Sequence, residues 1–124
     1  MDLGAFSISL TVKDMAASRS FYEKLGFRMM GGDGETWTIT MNESKVVIGL
    51  FHGMFDSNLL TFNPGWAAGG EALETFTDIR EISAQLNAAG IETVSDVTGD
   101  SASGPASFSV VDPDGNIILV DQHV

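Results

Sequence analysis

The chain has 124 residues, 44% of them apolar and 19% charged, which fits a globular protein and excludes a disordered one; no apolar run approaches the ~20 residues of a membrane span. Seventeen acidic residues against six basic ones give a net charge of −11, so nucleic acid and anionic membrane are not expected partners, whereas cationic ligands are favoured. The lack of cysteine rules out disulfides and thiolate metal sites. The opening Met1-Asp2-Leu3-Gly4 has neither the basic region nor the apolar core of a signal peptide, and a cytoplasmic protein is expected.

In chain order, Phe6 to Val12 alternates apolar and polar residues and predicts a half-buried strand. Asp14 is a good helix N-cap. Residues 15–25 follow with Met15, Ser18, Tyr22 and Leu25 at helical spacing, and Gly26 fits the position just past the helix end. Ser18, Arg19 and Lys24 read as its solvated face. Phe27 begins another extended stretch. Trp37–Met41 and Val46–Leu50 flank the turn Asn42-Glu43-Ser44-Lys45 and predict a β-hairpin. A second hairpin is expected around Asp112-Pro113-Asp114-Gly115-Asn116, between residues 106–111 and 117–123. Proline presets φ there, while Gly115 and Asn116 tolerate a positive one.

The second half restates the first. A shift of 64 carries Asp14 onto Asp78, Met15 onto Ile79, Tyr22 onto Leu86 and Gly26 onto Gly90. Asp78 with Glu81 resembles a capping box, and Ile79, Ile82, Leu86 and Ala89 mark a buried stripe. A shift of about 70 superposes the hairpins, Asn42 on Asp112 and Gly49 on Leu119, with the extra residues assigned to the Gly/Ser-rich loop 99–105. The unit is strand, helix, strand, hairpin: βαβββ, twice. The reading is one α+β domain, with modules at about 4–52 and 70–124 joined by the segment 53–69. That segment holds Met54, Phe55, Leu59, Leu60, Phe62 and Trp66, too apolar for a solvated tether, so it is expected to pack on a sheet or a partner subunit.

Two βαβββ units, the run Phe21-Tyr22-Glu23-Lys24-Leu25-Gly26-Phe27 and the turn Asp112–Asn116 together resemble the vicinal oxygen chelate superfamily, which holds glyoxalases, bleomycin-resistance proteins and extradiol dioxygenases. The resemblance covers nearly the whole chain and implies curved mixed sheets around a cleft, commonly in a homodimer. In the metal-dependent members it implies four inward positions bearing His, Glu or Gln, on the first strand of each unit and the last strand of each hairpin. Carried onto this chain, those positions are Ser7, Gly49, Glu71 and Leu119. Glycine and leucine offer no donor and serine a weak one, so the quartet predicts no metal or other cofactor. A one-residue register error would not mend it, since Ile8, Ile48 and Val120 are no better.

Glu71 is then a candidate general base or the counter-charge of a cation. Asp121 and His123 share strand parity with Leu119 and form a possible acid–imidazole cluster, whereas His52 has the opposite parity to Gly49. Trp37, Phe51, Phe62, Trp66 and Phe108 supply aromatic surface, with the face of Trp37 open and core packing the competing role for each. With Ser7, Gly49, Leu119, Asp121 and His123 these residues describe a metal-independent binder of a small, cationic or aromatic molecule. The alternatives are a metal-dependent lyase or dioxygenase with a non-standard site, and a partner-binding domain without a small ligand.

Overall fold

The computed structural model describes residues 1–94 and 101–124, which fall into two units: Ser7–Leu59, and Met1–Phe6 with Leu60–Val124. The fold is α+β, with both parallel and antiparallel strand pairs.

The N-terminal unit follows the order strand, helix, strand, hairpin. Its elements are β1 (Ala5–Thr11), α1 (Met15–Lys24), β2 (Arg28–Gly32), β3 (Trp37–Met41) and β4 (Val47–Phe51). Asp14 caps α1 by accepting a hydrogen bond from the Ala17 N–H at 3.0 Å, and Gly26 follows with a positive φ of 97°. β4 runs antiparallel to β3 and parallel to β1. Met15, Thr38 and Leu50 are buried, and the Thr38 hydroxyl lies 3.4 Å from Met15 Sδ. That contact fixes the side of the sheet covered by the helix.

The C-terminal unit contains β5 (Leu59–Asn63), α2 (Ile79–Ala88), β6 (Ala106–Val111) and β7 (Ile117–Gln122). β7 pairs antiparallel with β6 and parallel with β5. Its core gathers Ile79 and Ile82 of α2 with Phe108, Val110 and Val120. The N–H and C=O of Val94 pair with Ser109. Of the strand expected after this helix, residues 91–94 hold only that isolated bridge, and the rest, with part of the expected 99–105 loop, lies outside the described residues. Asp78 caps α2 through the Arg80 N–H rather than in a capping box, because the Glu81 carboxylate accepts from Gln85 instead.

The two hairpin turns match group for group. Asn42 Oδ1 accepts from Val46 N at 2.9 Å, and Asp112 Oδ1 from Asn116 N at 2.8 Å. Lys45 N donates to Asn42 O, and Gly115 N to Asp112 O. The left-handed position falls on Lys45 (φ 62°) in one and on Gly115 (φ 88°) in the other; Asn116 has no positive φ.

One expected element is placed differently. The first strand of the C-terminal unit is Leu59–Asn63, inside the segment read as a joining stretch, and residues 71–77 hold only an isolated bridge at Ala72. Parallel pairing with β7 selects Leu59–Asn63, and β5 is followed by a long excursion before α2. Extra length therefore enters between strand and helix as well as later. Among the described residues, no helix is long and apolar enough to cross a membrane.

Candidate functional site

The strand registers decide which residues share a face. In the N-terminal unit Gly49 lies opposite Ser9 and Ile39, Phe51 opposite Thr11 and Trp37, and Val47 opposite Ser7 and Met41. Paired residues point to the same side, and alternation puts this set away from Thr38 and Leu50, which meet the helix. Ser7, Gly49, Phe51 and Trp37 are thus brought to one face, which settles the orientation of Trp37. Trp37 is 40% exposed, and the Phe51 ring lies 5.1 Å from that of Phe55.

Gly49 is the tightest point of this face. A Cβ built there would stand 2.6 Å from the Phe51 ring and 3.4 Å from Ile39 Cδ1. The space a larger side chain needs at residue 49 is filled by an aromatic ring. The approach to β3 is held by Asp33, whose carboxylate accepts from the backbone N–H groups of Glu35, Thr36 and Trp37 and from the Thr36 hydroxyl. Those donors, the Thr36 hydroxyl first, hold the carboxyl well below the usual carboxylate range. His52 is bound to backbone: its Nδ1 is 3.0 Å from Val12 O and its N–H donates to Thr36 O.

In the C-terminal unit Leu119 lies opposite Thr61 and Ser109, and Asp121 opposite Ser107. Leu119 and Asp121 occupy the face opposite Val120, which packs on α2. His123 follows in the same alternation. Its Nε2 is 3.1 Å from Asp121 Oδ2, and its ring lies flat on Trp66, with centroids 4.7 Å apart and planes 6° from parallel. The Asp121 carboxylate raises the His123 pKa, through its hydrogen bond first and its charge last, against the lowering effect of partial burial. Asn63 Nδ2 donates to Asp121 O at 2.9 Å and so ties β5 to this end of β7. The turn Asn63-Pro64-Gly65 delivers Trp66, whose N–H returns to Asn63 O.

Three of the candidate residues lie elsewhere. Glu71 is exposed, lies outside any strand and accepts a bond from Ala67 N through its backbone oxygen; Thr61, not Glu71, stands beside Leu119. Phe62 pairs with Val120 on the helix side of the sheet, and its ring lies tilted against that of Phe6 with centroids 5.1 Å apart. Phe108 is buried in the core. Thr61 and Asn63 were not singled out by sequence, and Phe55 only as part of the apolar segment 53–69. The signal for Thr61 and Asn63 was the β-prone run Leu59–Asn63 bounded by Asn58 and the Pro64-Gly65 turn.

At the positions that the resemblance gives for metal ligands, the donor set does not fit a transition-metal ion. On the N-terminal face Ser7 stands with a glycine covered by a ring, and on the C-terminal face Leu119 stands beside the hydroxyl of Thr61. Among the described residues no three His, Asp or Glu side chains gather to hold an ion.

Comparison with known proteins places the chain. The sequence profile of the Glyoxalase/Bleomycin resistance protein/Dioxygenase superfamily matches residues 4–120. No curated protein matches significantly. Among solved structures, a member of that superfamily from Vibrio splendidus 12B01 is similar at a TM-score of 0.63 and 17% identity, covering 94% of this chain and 97% of its own. A structure described as NAD-dependent benzaldehyde dehydrogenase from Legionella pneumophila gives 0.69 and 17%, covering 96% and 99%. Methylmalonyl-CoA epimerase from Mycobacterium tuberculosis gives 0.60 and 12%, covering 98% and 87%. At such identities these neighbours speak for the fold alone, and their differing names show that activity does not follow from it. With the profile spanning nearly the whole sequence and the paired hairpin units on the page, the chain belongs to the glyoxalase/bleomycin resistance protein/dioxygenase superfamily.

Proposed function

We propose that this protein binds a small, planar aromatic molecule without a metal ion, and that it prefers cations. The observation that carries this reading is the face of β3 and β4. Where a metal-binding relative would need a donor, this chain has Gly49 under the Phe51 ring, flanked by Ile39 and a partly exposed Trp37. Apolar walls with few placed polar groups suit an organic ligand. The net charge of −11 favours a cation over an anion. On the C-terminal unit we assign Trp66, Leu119 and Asp121 the same kind of role, aromatic and apolar surface beside one carboxylate.

The test is a titration followed by tryptophan fluorescence and calorimetry, using aromatic cations such as ethidium and N-methylquinolinium beside benzoate and aliphatic amines. Saturable binding of the aromatic cations is expected. Phe51→Ala should weaken it about tenfold, the scale of one lost aromatic contact of ~1.4 kcal/mol. No binding by any aromatic compound, together with uptake of one Mn or Zn ion per chain, would overturn the reading.

A further inference from the structure

A cavity of about 340 Å³ lies within the C-terminal unit, lined by Asp2, Gly4, Gly65, Leu73, Thr75, Phe76 and Thr77. None of these residues belongs to the strand faces described above. Its wall is held by specific bonds. Asp2 Oδ1 accepts from Gly4 N at 2.8 Å, Ala5 N donates to Trp66 O, and Leu73 N donates to Gly65 O at 2.8 Å. The backbone is close-packed here: a Cβ on Gly4 would stand 2.2 Å from Asn63 O, and one on Gly65 would stand 3.4 Å from the Phe76 ring. The two glycines let the amino-terminal stretch and the 72–77 stretch approach the Asn63-Pro64-Gly65 turn.

The lining carries unused chemistry. Asp2 spends one carboxylate oxygen on Gly4, and its other oxygen has no partner among the described residues. The hydroxyls of Thr75 and Thr77 likewise make no hydrogen bond there. Beside them Leu73 and Phe76, 37% and 39% exposed, form the apolar part of the wall. No lysine, arginine or histidine lines the cavity. Its volume falls at the small end of the range for organic ligand sites. One carboxylate, two hydroxyls and an aromatic wall are complementary to an ammonium group carrying a short aryl or alkyl chain.

We propose that this cavity is a second binding site, for small primary amines with an aryl or alkyl tail, the ammonium meeting Asp2 and the threonine hydroxyls and the tail meeting Phe76 and Leu73. The site does not depend on the reading of the β3–β4 face.

The experiment uses the whole chain and phenethylamine as the probe, with phenylacetate as the matched anion, followed by amide NMR shifts and calorimetry. Saturable shifts at Gly4, Gly65, Thr75 and Thr77 are expected with phenethylamine and not with phenylacetate. Asp2→Asn keeps the acceptor for Gly4 N and removes the charge, and should weaken binding at least fivefold. Phe76→Ala should weaken it about tenfold, and Phe51→Ala should leave it within twofold. The proposal fails if phenethylamine does not saturate, if phenylacetate binds as tightly, or if Asp2→Asn has no effect. It also fails if Phe51→Ala abolishes binding, which would assign the amine to the β3–β4 face instead.

Discussion

Replacing Gln122 by leucine tests how the C-terminal unit is held together. Gln122 is 1% exposed. Its Oε1 accepts from Ile79 N, at the start of α2, at 2.8 Å. Its Nε2 faces three acceptors: Gly104 O and Val124 O at 3.0 Å, and Asp78 Oδ2 at 3.2 Å. Leucine has nearly the same volume but returns none of these bonds. The buried Ile79 N–H loses its acceptor, at about 1–3 kcal/mol, and loss of the amide donors adds about 1 kcal/mol more, so about 3 kcal/mol in all is expected. Unfolding entropy of about 2.1 cal/mol/K per residue makes each kcal/mol worth about 4 °C in a chain of 124 residues, and Tm should fall by about 11 °C. Differential scanning calorimetry reads this directly. Gln122→Glu is the sharper companion: it keeps the acceptor for Ile79 N but sets a second carboxylate against Asp78. Its deficit should be largest at neutral pH and shrink on acidification, as one of the pair takes a proton. A Gln122→Leu protein melting within about 2 °C of the parent would refute the account, since a buried N–H cannot lose its acceptor at so small a cost.

Leu50→Ala removes the fully buried side chain at the centre of the N-terminal unit and should cost about 2–5 kcal/mol, seen as a lower urea midpoint with an unchanged slope. Gly115→Ala meets no atom within 4 Å at a φ of 88°, so its cost is backbone strain alone, about 1–2 kcal/mol by chemical denaturation. His123 has a raised pKa because Asp121 bonds its ring. Its contribution to stability is therefore full below the unfolded histidine value of about 6.5 and is lost as pH rises through the raised folded value. NMR titration of the imidazole should show the pKa falling in Asp121→Asn, and Trp66 emission should follow the same transition. An unchanged titration would break the link between the two residues.

Local chemistry made both helices and both hairpins legible. Asp14 and Asp78 announce helix starts, Gly26 and Gly90 follow helix ends, and the matched turns at 42–45 and 112–115 carry the same side-chain-to-backbone bonds. What escaped was decided by pairing over distance. Leu59–Asn63 carries no strict alternation, and only its parallel neighbour β7 fixes it as the strand that starts the second unit. The register moves with it: Thr61, not Glu71, stands beside Leu119, and Phe62 faces the helix side with Val120. Trp37 waited on a register that only β4 supplies. The Trp66–His123 stack joins a turn to a strand end across 56 intervening positions; spacing pairs Asp121 with His123 but gives no sign that Trp66 joins them.

Parallel pairing of first and last strands also imposes an order on synthesis. Every strand pair of the N-terminal unit described here closes within Ala5–Phe51, so that sheet is complete once those residues have left the ribosome. β5 leaves soon afterwards, but its neighbour is β7, and the start of α2 takes its acceptor from Gln122. Until those last residues emerge, β5 is an apolar strand without its β7 partner. The interval in which this protein is open to misassociation during translation is therefore set by the time taken to make residues 64–122.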